Sequence, residues 1–240
     1  MNEYFLLFGV IIALSLVQSF MGVGILLFGT PTLLLLGYTY VDTLALILPS
    51  SVFISALQTY YGFEHIKNKQ NVLIYTLPFL IVGLTLIILF EVSLDLKKIV
   101  GIMLILVGLI RLSNVIKNFL SAFILKHKKI YCMIMGAVHG VSNMGGGMLV
   151  LLMNSEYKTH KEFRTNVAFV YLLFGVVQLS ILLFISPSSM VVMSFFLSLV
   201  AGVIYQISMK FFKKYVDVDE KACQQFITFF IFLYGIISFL

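Results

Sequence analysis

The stretch His139-Gly140-Val141-Ser142-Asn143-Met144-Gly145-Gly146-Gly147 lies inside an otherwise apolar run from Ile130 to Met153. Each glycine costs roughly 1 kcal/mol in a helix interior relative to alanine, so a triplet breaks the helix. A helix broken inside hydrocarbon leaves backbone N–H and C=O groups that lipid cannot satisfy. Such backbone is tolerated only where protein buries it or a water-filled cavity receives it. Close helix packing through small residues is the competing account, but packing motifs space their glycines a turn apart. The run therefore reads as a purposeful break.

The surrounding composition fixes the solvent. Of 240 residues, 61% are apolar and 11% charged, far outside the range of soluble domains. The chain reads as an integral membrane protein. Met1-Asn2-Glu3-Tyr4 has no basic n-region and no small-residue cleavage site follows, so the first apolar run is expected to be retained rather than cleaved as a signal peptide. Cys132 and Cys223 lack metal-ligand spacing and read as small hydrophobes in helices; no cofactor or metal is expected. The net charge of +6 does not point to nucleic acid, because no basic, aromatic-interleaved domain is present. Lysines in membrane proteins orient the chain instead.

Working outward, apolar segments run over 4–37, 43–60, 72–90 and 98–112, then 130–153, 165–185, 190–208 and 223–240. Six are close to the ~20 residues of one crossing. The segment 4–37 is too long for one helix and is interrupted at Gly22-Val23-Gly24 and again at Gly29-Thr30-Pro31. A displacement of 121 residues carries Gly24 onto Gly145, Gln18 onto His139, Gly22 onto Asn143 and Thr43–Tyr60 onto Arg164–Ile181. Paired glycine-interrupted segments in matching positions point to a transporter's binding site. The expected fold is an all-α polytopic membrane protein of two inverted repeats, 1–120 and 121–240. Each would be a broken-helix hairpin (4–37 or 130–153) followed by three transmembrane helices.

Basic residues choose between topologies. If each broken segment crosses once, the cytoplasm holds 7 lysines and arginines against 9 outside. If each enters and returns, Phe63–Asn71, Arg111–Lys129, Glu156–Arg164 and Lys210–Lys221 place 14 of the 16 in the cytoplasm. The positive-inside tendency selects the second arrangement. Each half then holds an odd number of crossings, which inverts the halves and leaves both termini outside the plasma membrane. Half-helices of about a dozen residues reach ~15–20 Å, so their tips meet near the midplane.

At such a tip, free N–H groups and the positive end of a half-helix form an anion site without a buried cation. Asn143, Gly145, Gly146 and Gly147 supply these in the second half, and Gly22 and Gly24 a weaker version in the first. Gln18 and Ser19, and His139 and Ser142, flank the tips and complete the candidate substrate site. His139 is the one His, Asp or Glu deep inside an expected span and is the candidate for coupling transport to protons. A Ser142–His139 hydrolase is the enzymatic alternative, but no nucleophile-elbow glycine pattern surrounds Ser142. Gln58, Gln178, Ser50, Ser51 and Ser55 read as helix-to-helix hydrogen bonds. Arg164 and Asn166 open the crossing after the second hairpin, where Arg164 either anchors the interface or draws in anions. Lys126-His127-Lys128-Lys129 reads as a topology signal in contact with anionic headgroups.

Ser19-Phe20-Met21-Gly22-Val23-Gly24-Ile25-Leu26-Leu27-Phe28-Gly29-Thr30-Pro31 and Gly140-Val141-Ser142-Asn143-Met144-Gly145-Gly146-Gly147 together resemble the paired glycine motifs of the TauE/SafE family of sulfite exporters. The first copy lacks the triplet, and the second lacks the following proline. The resemblance implies a small permease that exports sulfite, an organosulfonate or another small organic anion, and leaves the choice open. No nucleotide-binding motif is present, so a gradient would supply the energy. A non-transporting scaffold, whose glycines only pack helices, is the remaining alternative.

Overall fold

The computed structural model describes residues 2–21, 24–90, 95–157, 159–186, 188, 190–215 and 220–239, and these are helical apart from their connections. Helices α1 (Asn2–Met21) and α2 (Ile25–Leu35) form the first broken pair, followed by α3 (Tyr40–Tyr61), α4 (Gln70–Leu89) and α5 (Leu96–Leu112). A short helix α6 (Asn114–Lys126) leads into the second broken pair, α7 (Lys128–Ser142) and α8 (Gly145–Glu156). Then come α9 (His160–Ile185), α10 (Val191–Tyr215) and α11 (Glu220–Ile237). Each predicted broken segment therefore contains two helices, α1 and α2 in the first and α7 and α8 in the second.

Four stretches, 40–61, 70–89, 161–185 and 192–211, are long and apolar enough to cross a membrane. They supply two of the three crossings expected after each hairpin. The third differs in kind. Helix α5 has 17 residues and turns through 106° into α6, and the pair counts as a fifth span only if taken together. Ser113 makes the turn: its extended backbone ends α5, and its hydroxyl accepts from Ile116 N at 3.3 Å to cap α6. The apolar part of α11 that is described covers Thr228–Ile237. The basic stretch 111–129, read from sequence as a connection, thus contains a helix. Val115, Ile116, Phe119 and Phe123 lie exposed on one side of it, with Lys117 and Asn118 on the other. That is the pattern of a helix lying in the membrane interface.

The second interruption predicted in the first hairpin, at Gly29-Thr30-Pro31, does not form; α2 runs through it. Pro31 removes the one ladder bond to Leu27 O, and the hydroxyls on either side of it bond the flanking carbonyls. Thr30 Oγ1 donates to Leu26 O at 3.1 Å and Thr32 Oγ1 to Phe28 O at 2.6 Å. Neighbouring helices and such side chains make proline tolerable in membrane helices. The real stop comes at Gly37, at φ 92°, where Gly37 N bonds Leu34 O and Tyr38 N bonds Leu33 O, both at 3.1 Å. This is the Schellman arrangement, with glycine in its left-handed position.

Packing crosses between the halves. Helix α1 lies on α10 and α7 on α4; α3 packs on α9 and on α10, while α9 also packs on α4; α5 packs on α11. The displacement of 121 residues carries each partnership onto another or onto itself. The α4–α7 contact is the closest. Cβ atoms placed on Gly136 and Gly140 would overlap Thr76 O and Leu80 O, and one on Gly83 would meet Ala137 O at 3.1 Å. Gly136 and Gly140 stand one turn apart, so Gly140 is a packing glycine although it borders the triplet.

At the basic end, Asn166 is fully buried and pins the α3–α4 connection to α9. It accepts from Lys67 N at 2.9 Å and donates to His65 O at 2.9 Å and Glu162 O at 2.8 Å. Lys69 lies against Tyr157, with Nζ 4.3 Å from the ring centroid, and 3.7 Å from Glu156. Burial pulls its ammonium below the ordinary lysine range, and Glu156 works in the opposite direction.

Gly136→Ala should lower the melting temperature by an amount equivalent to about 1–3 kcal/mol, because the methyl group meets backbone that cannot yield. Gly9→Ala is the control: nothing lies within 4 Å of its added carbon, so a neutral or slightly raised value is expected. Equal effects at both positions would refute glycine-mediated packing of α4 on α7.

Candidate functional site

Helix α7 ends at Ser142, and Asn143 turns the chain with φ 60°, the one non-glycine residue with positive φ among those described. Asparagine tolerates this left-handed conformation better than most residues. Asn143 N donates to His139 O at 2.9 Å and closes the last turn of α7.

The Asn143 side chain starts a buried relay whose polarity can be deduced. Thr30 has committed its proton to Leu26 O, so its oxygen must accept, and Asn143 Nδ2 donates to it at 2.8 Å. Asn143 Oδ1 is then the acceptor for Gln178 Nε2 at 3.3 Å. Gln178 is left with Oε1 unpartnered. His139 is fully buried, and both its ring nitrogens also lack a hydrogen bond. Gln178 lies within interaction range of the ring without reaching hydrogen-bonding geometry. The ring packs on Phe174 at 5.0 Å and on Tyr171 at 6.4 Å between centroids.

The three glycines press against three different neighbours. A Cβ on Gly145 would meet His139 Cβ at 2.5 Å, and one on Gly147 would meet Val107 Cγ2 at 2.8 Å. One on Gly146 would overlap the Tyr171 hydroxyl. Close packing, the competing account of the triplet, therefore applies here as well. Yet the backbone remains open. Met144 N bonds Ser142 Oγ and Gly147 N bonds Met144 O, both at 3.3 Å, whereas the N–H groups of Gly145 and Gly146 have no partner among the described residues.

The first break is satisfied differently. Gln18 Oε1 accepts from Ile25 N at 2.9 Å and caps α2. Gly24 sits against Gln18, where a Cβ would meet Gln18 N at 2.9 Å, just as Gly145 sits against His139. Ser19 Oγ donates to Leu16 O at 2.7 Å, and its carbonyl accepts from Arg164 Nη2 at 2.8 Å. Gly22 lies outside the described residues.

Of the residues singled out from sequence, His139, Asn143, Gly145 and Gly146 thus come together at one tip, while Gln18, Ser19 and Gly24 form the other. Ser142 does not pair with His139: its hydroxyl donates to Val138 O at 2.8 Å and accepts from Met144 N. Gln178, Thr30 and Tyr171 are additions. The first two are polar at membrane depth, which is a signal, but nothing in their spacing ties them to the triplet. A cavity of about 590 Å³ opens beside Gly147, lined also by Leu27, Val150, Arg111 and Lys117.

The family model for the sulfite exporter TauE/SafE matches residues 6–238. The chain belongs to the TauE/SafE family. It is accordingly a multi-pass membrane protein of a transporter family, and both helix breaks lie within the TauE/SafE match. No curated protein and no solved structure matches it.

Asn143→Asp keeps the shape but removes the only donor that Thr30 can accept, and should cost about 1–3 kcal/mol of stability. Thr30→Val should cost a similar amount, and the double variant less than the sum, since both remove one interaction. Strictly additive melting shifts in the four proteins would dissolve the relay.

Proposed function

We propose that this chain is a secondary carrier that exports a small anion, sulfite or a related organosulfonate or organic anion, through a site between its two broken helix pairs. The observation that carries this reading is the open end of the relay. Gln178 Oε1, the His139 nitrogens and the N–H groups of Gly145 and Gly146 are buried without partners among the described residues. Each such group costs about 1–3 kcal/mol of desolvation unless something bonds it. A small oxyanion accepts several hydrogen bonds at once and suits N–H donors at a helix start. Asn143, Gly145, Gly146, Gly147, His139 and Ser142 would form one wall, and Gln18, Ser19, Gly22 and Gly24 the other.

His139 would couple the cycle to protons: a protonated ring offers a second N–H donor, so anion binding should strengthen as pH falls through its titration. Flux of labelled sulfite into proteoliposomes tests both ideas. Gly146→Leu, whose side chain would occupy the Tyr171 hydroxyl's place, should abolish flux, and His139→Gln should leave a flux that no longer responds to pH. Transport surviving Gly146→Leu, or an intact pH response in His139→Gln, would remove the respective role. The hydrolase reading loses its main support, because Ser142 and His139 are not hydrogen-bonded.

The repeats 1–120 and 121–240 are proposed to be inverted. This is supported by the pairing of helix contacts under one displacement, and by basic clusters that gather on one side only in that topology. Both termini then face outward from the plasma membrane. A reporter active only in the cytoplasm should stay silent when fused after Leu240; a strong signal would overturn the inversion.

A further inference from the structure

A second cavity, of about 580 Å³, opens among α3, α9 and α10, and none of the tip glycines lines it. Its wall carries Arg164, Lys161, Lys210 and His65, with no carboxylate among the described lining residues. Glu162, adjacent in sequence, is engaged elsewhere by Lys67 at 3.4 Å. Like charges gathered in a concave wall attract an anion and repel one another until one arrives.

The deeper wall is polar in a directed way. Arg164 Nη2 donates to Ser19 O at 2.8 Å and Tyr205 OH at 3.4 Å and touches Met209 Sδ at 3.1 Å; Nε and Nη1 have no partner among the described residues. Tyr205 OH accepts from Arg164 and lies within interaction range of Gln58. Gln58 is 5% exposed, lines the cavity, and has neither amide atom in a hydrogen bond.

We infer that this cavity is a binding site for a small oxyanion, held by the Arg164 guanidinium and the Gln58 amide and distinct from the site at the helix breaks. Guanidinium and amide donors around an oxyanion make charge-assisted hydrogen bonds, about twice as strong as neutral ones. Arg164 also holds the carbonyl end of α1, so an anion that draws the guanidinium away loosens the first helix break. The inference rests on the reading of the chain as a small-anion carrier, and supplies the place where the anion waits on the basic face.

Calorimetric titration of the purified full chain with sodium sulfite tests it. Gln58→Leu and Arg164→Gln should each weaken sulfite binding roughly tenfold or more. Arg164→Lys should restore part of that loss, and added sodium chloride should weaken the wild type. Gly9→Ala, where an added carbon meets nothing within 4 Å, should leave this binding unchanged. Gln58 is the cleaner probe, because its amide bonds nothing in the protein. A merely structural Gln58 would give an unchanged or higher melting temperature with full affinity in Gln58→Leu, and that result would overturn the site. Affinity lost in Gly145→Ala but kept in Gln58→Leu and Arg164→Gln would also overturn it while sparing the site at the breaks. The opposite pattern would support the cavity and leave the breaks without a ligand.

Discussion

A helix that stops inside a membrane must find partners for its free N–H and C=O groups without help from water. Both helix breaks are built around that constraint, and they meet it unequally. At the first, Gln18 reaches across the break and accepts from Ile25 N, while Arg164 takes the carbonyl of Ser19. At the second, Asn143 in its left-handed turn closes α7, but the N–H groups that open α8 are left over. The residue standing where Gln18 stands is His139, whose ring packs on Phe174 and caps nothing. Among the described residues, the first break carries a side-chain cap on α2 that the second lacks, and on the proposed reading a ligand takes that place.

The relay from Leu26 through Thr30 and Asn143 to Gln178 gives that asymmetry a direction. Each hydrogen bond fixes the polarity of the next, and the chain ends on an acceptor beside a histidine. A partly satisfied buried network is normally worse than an apolar core. Here the unpartnered groups gather in one place, beside His139. On the proposed reading that concentration is the function: the groups left bare in the protein alone are the ones a transported anion and proton would complete.

The two broken pairs and the four long crossings were legible because apolar length and clustered glycines are one-dimensional signals. Gly24 against Gln18 and Gly145 against His139 follow the same displacement in space as in sequence. The break at Gly29-Thr30-Pro31 was misread because Pro31 removes only the one ladder bond to Leu27 O, and the helix continues on both sides of it. Helix α6 was missed because its lysines drew the eye to charge rather than to the apolar side formed by Val115, Ile116, Phe119 and Phe123. Gln178 and Gln58 were read as interhelical glue; only packing reveals that one is half used and the other not used at all.

The placement of charge follows from the cost of carrying ions into hydrocarbon. A lysine or arginine at the midplane would bind an anion tightly and would itself be expensive to bury. It would also release the anion slowly, and passage requires that binding be strong enough to enter yet weak enough to leave. Backbone N–H groups at a helix start give attraction through partial charges only. Full charges line the two cavities, with Arg111 and Lys117 beside Gly147, and Arg164, Lys161 and Lys210 among α3, α9 and α10. On the proposed reading, an anion drawn to either cavity by whole charges would meet progressively weaker holds toward the breaks, and that descending order would let the carrier both collect its substrate and let it go.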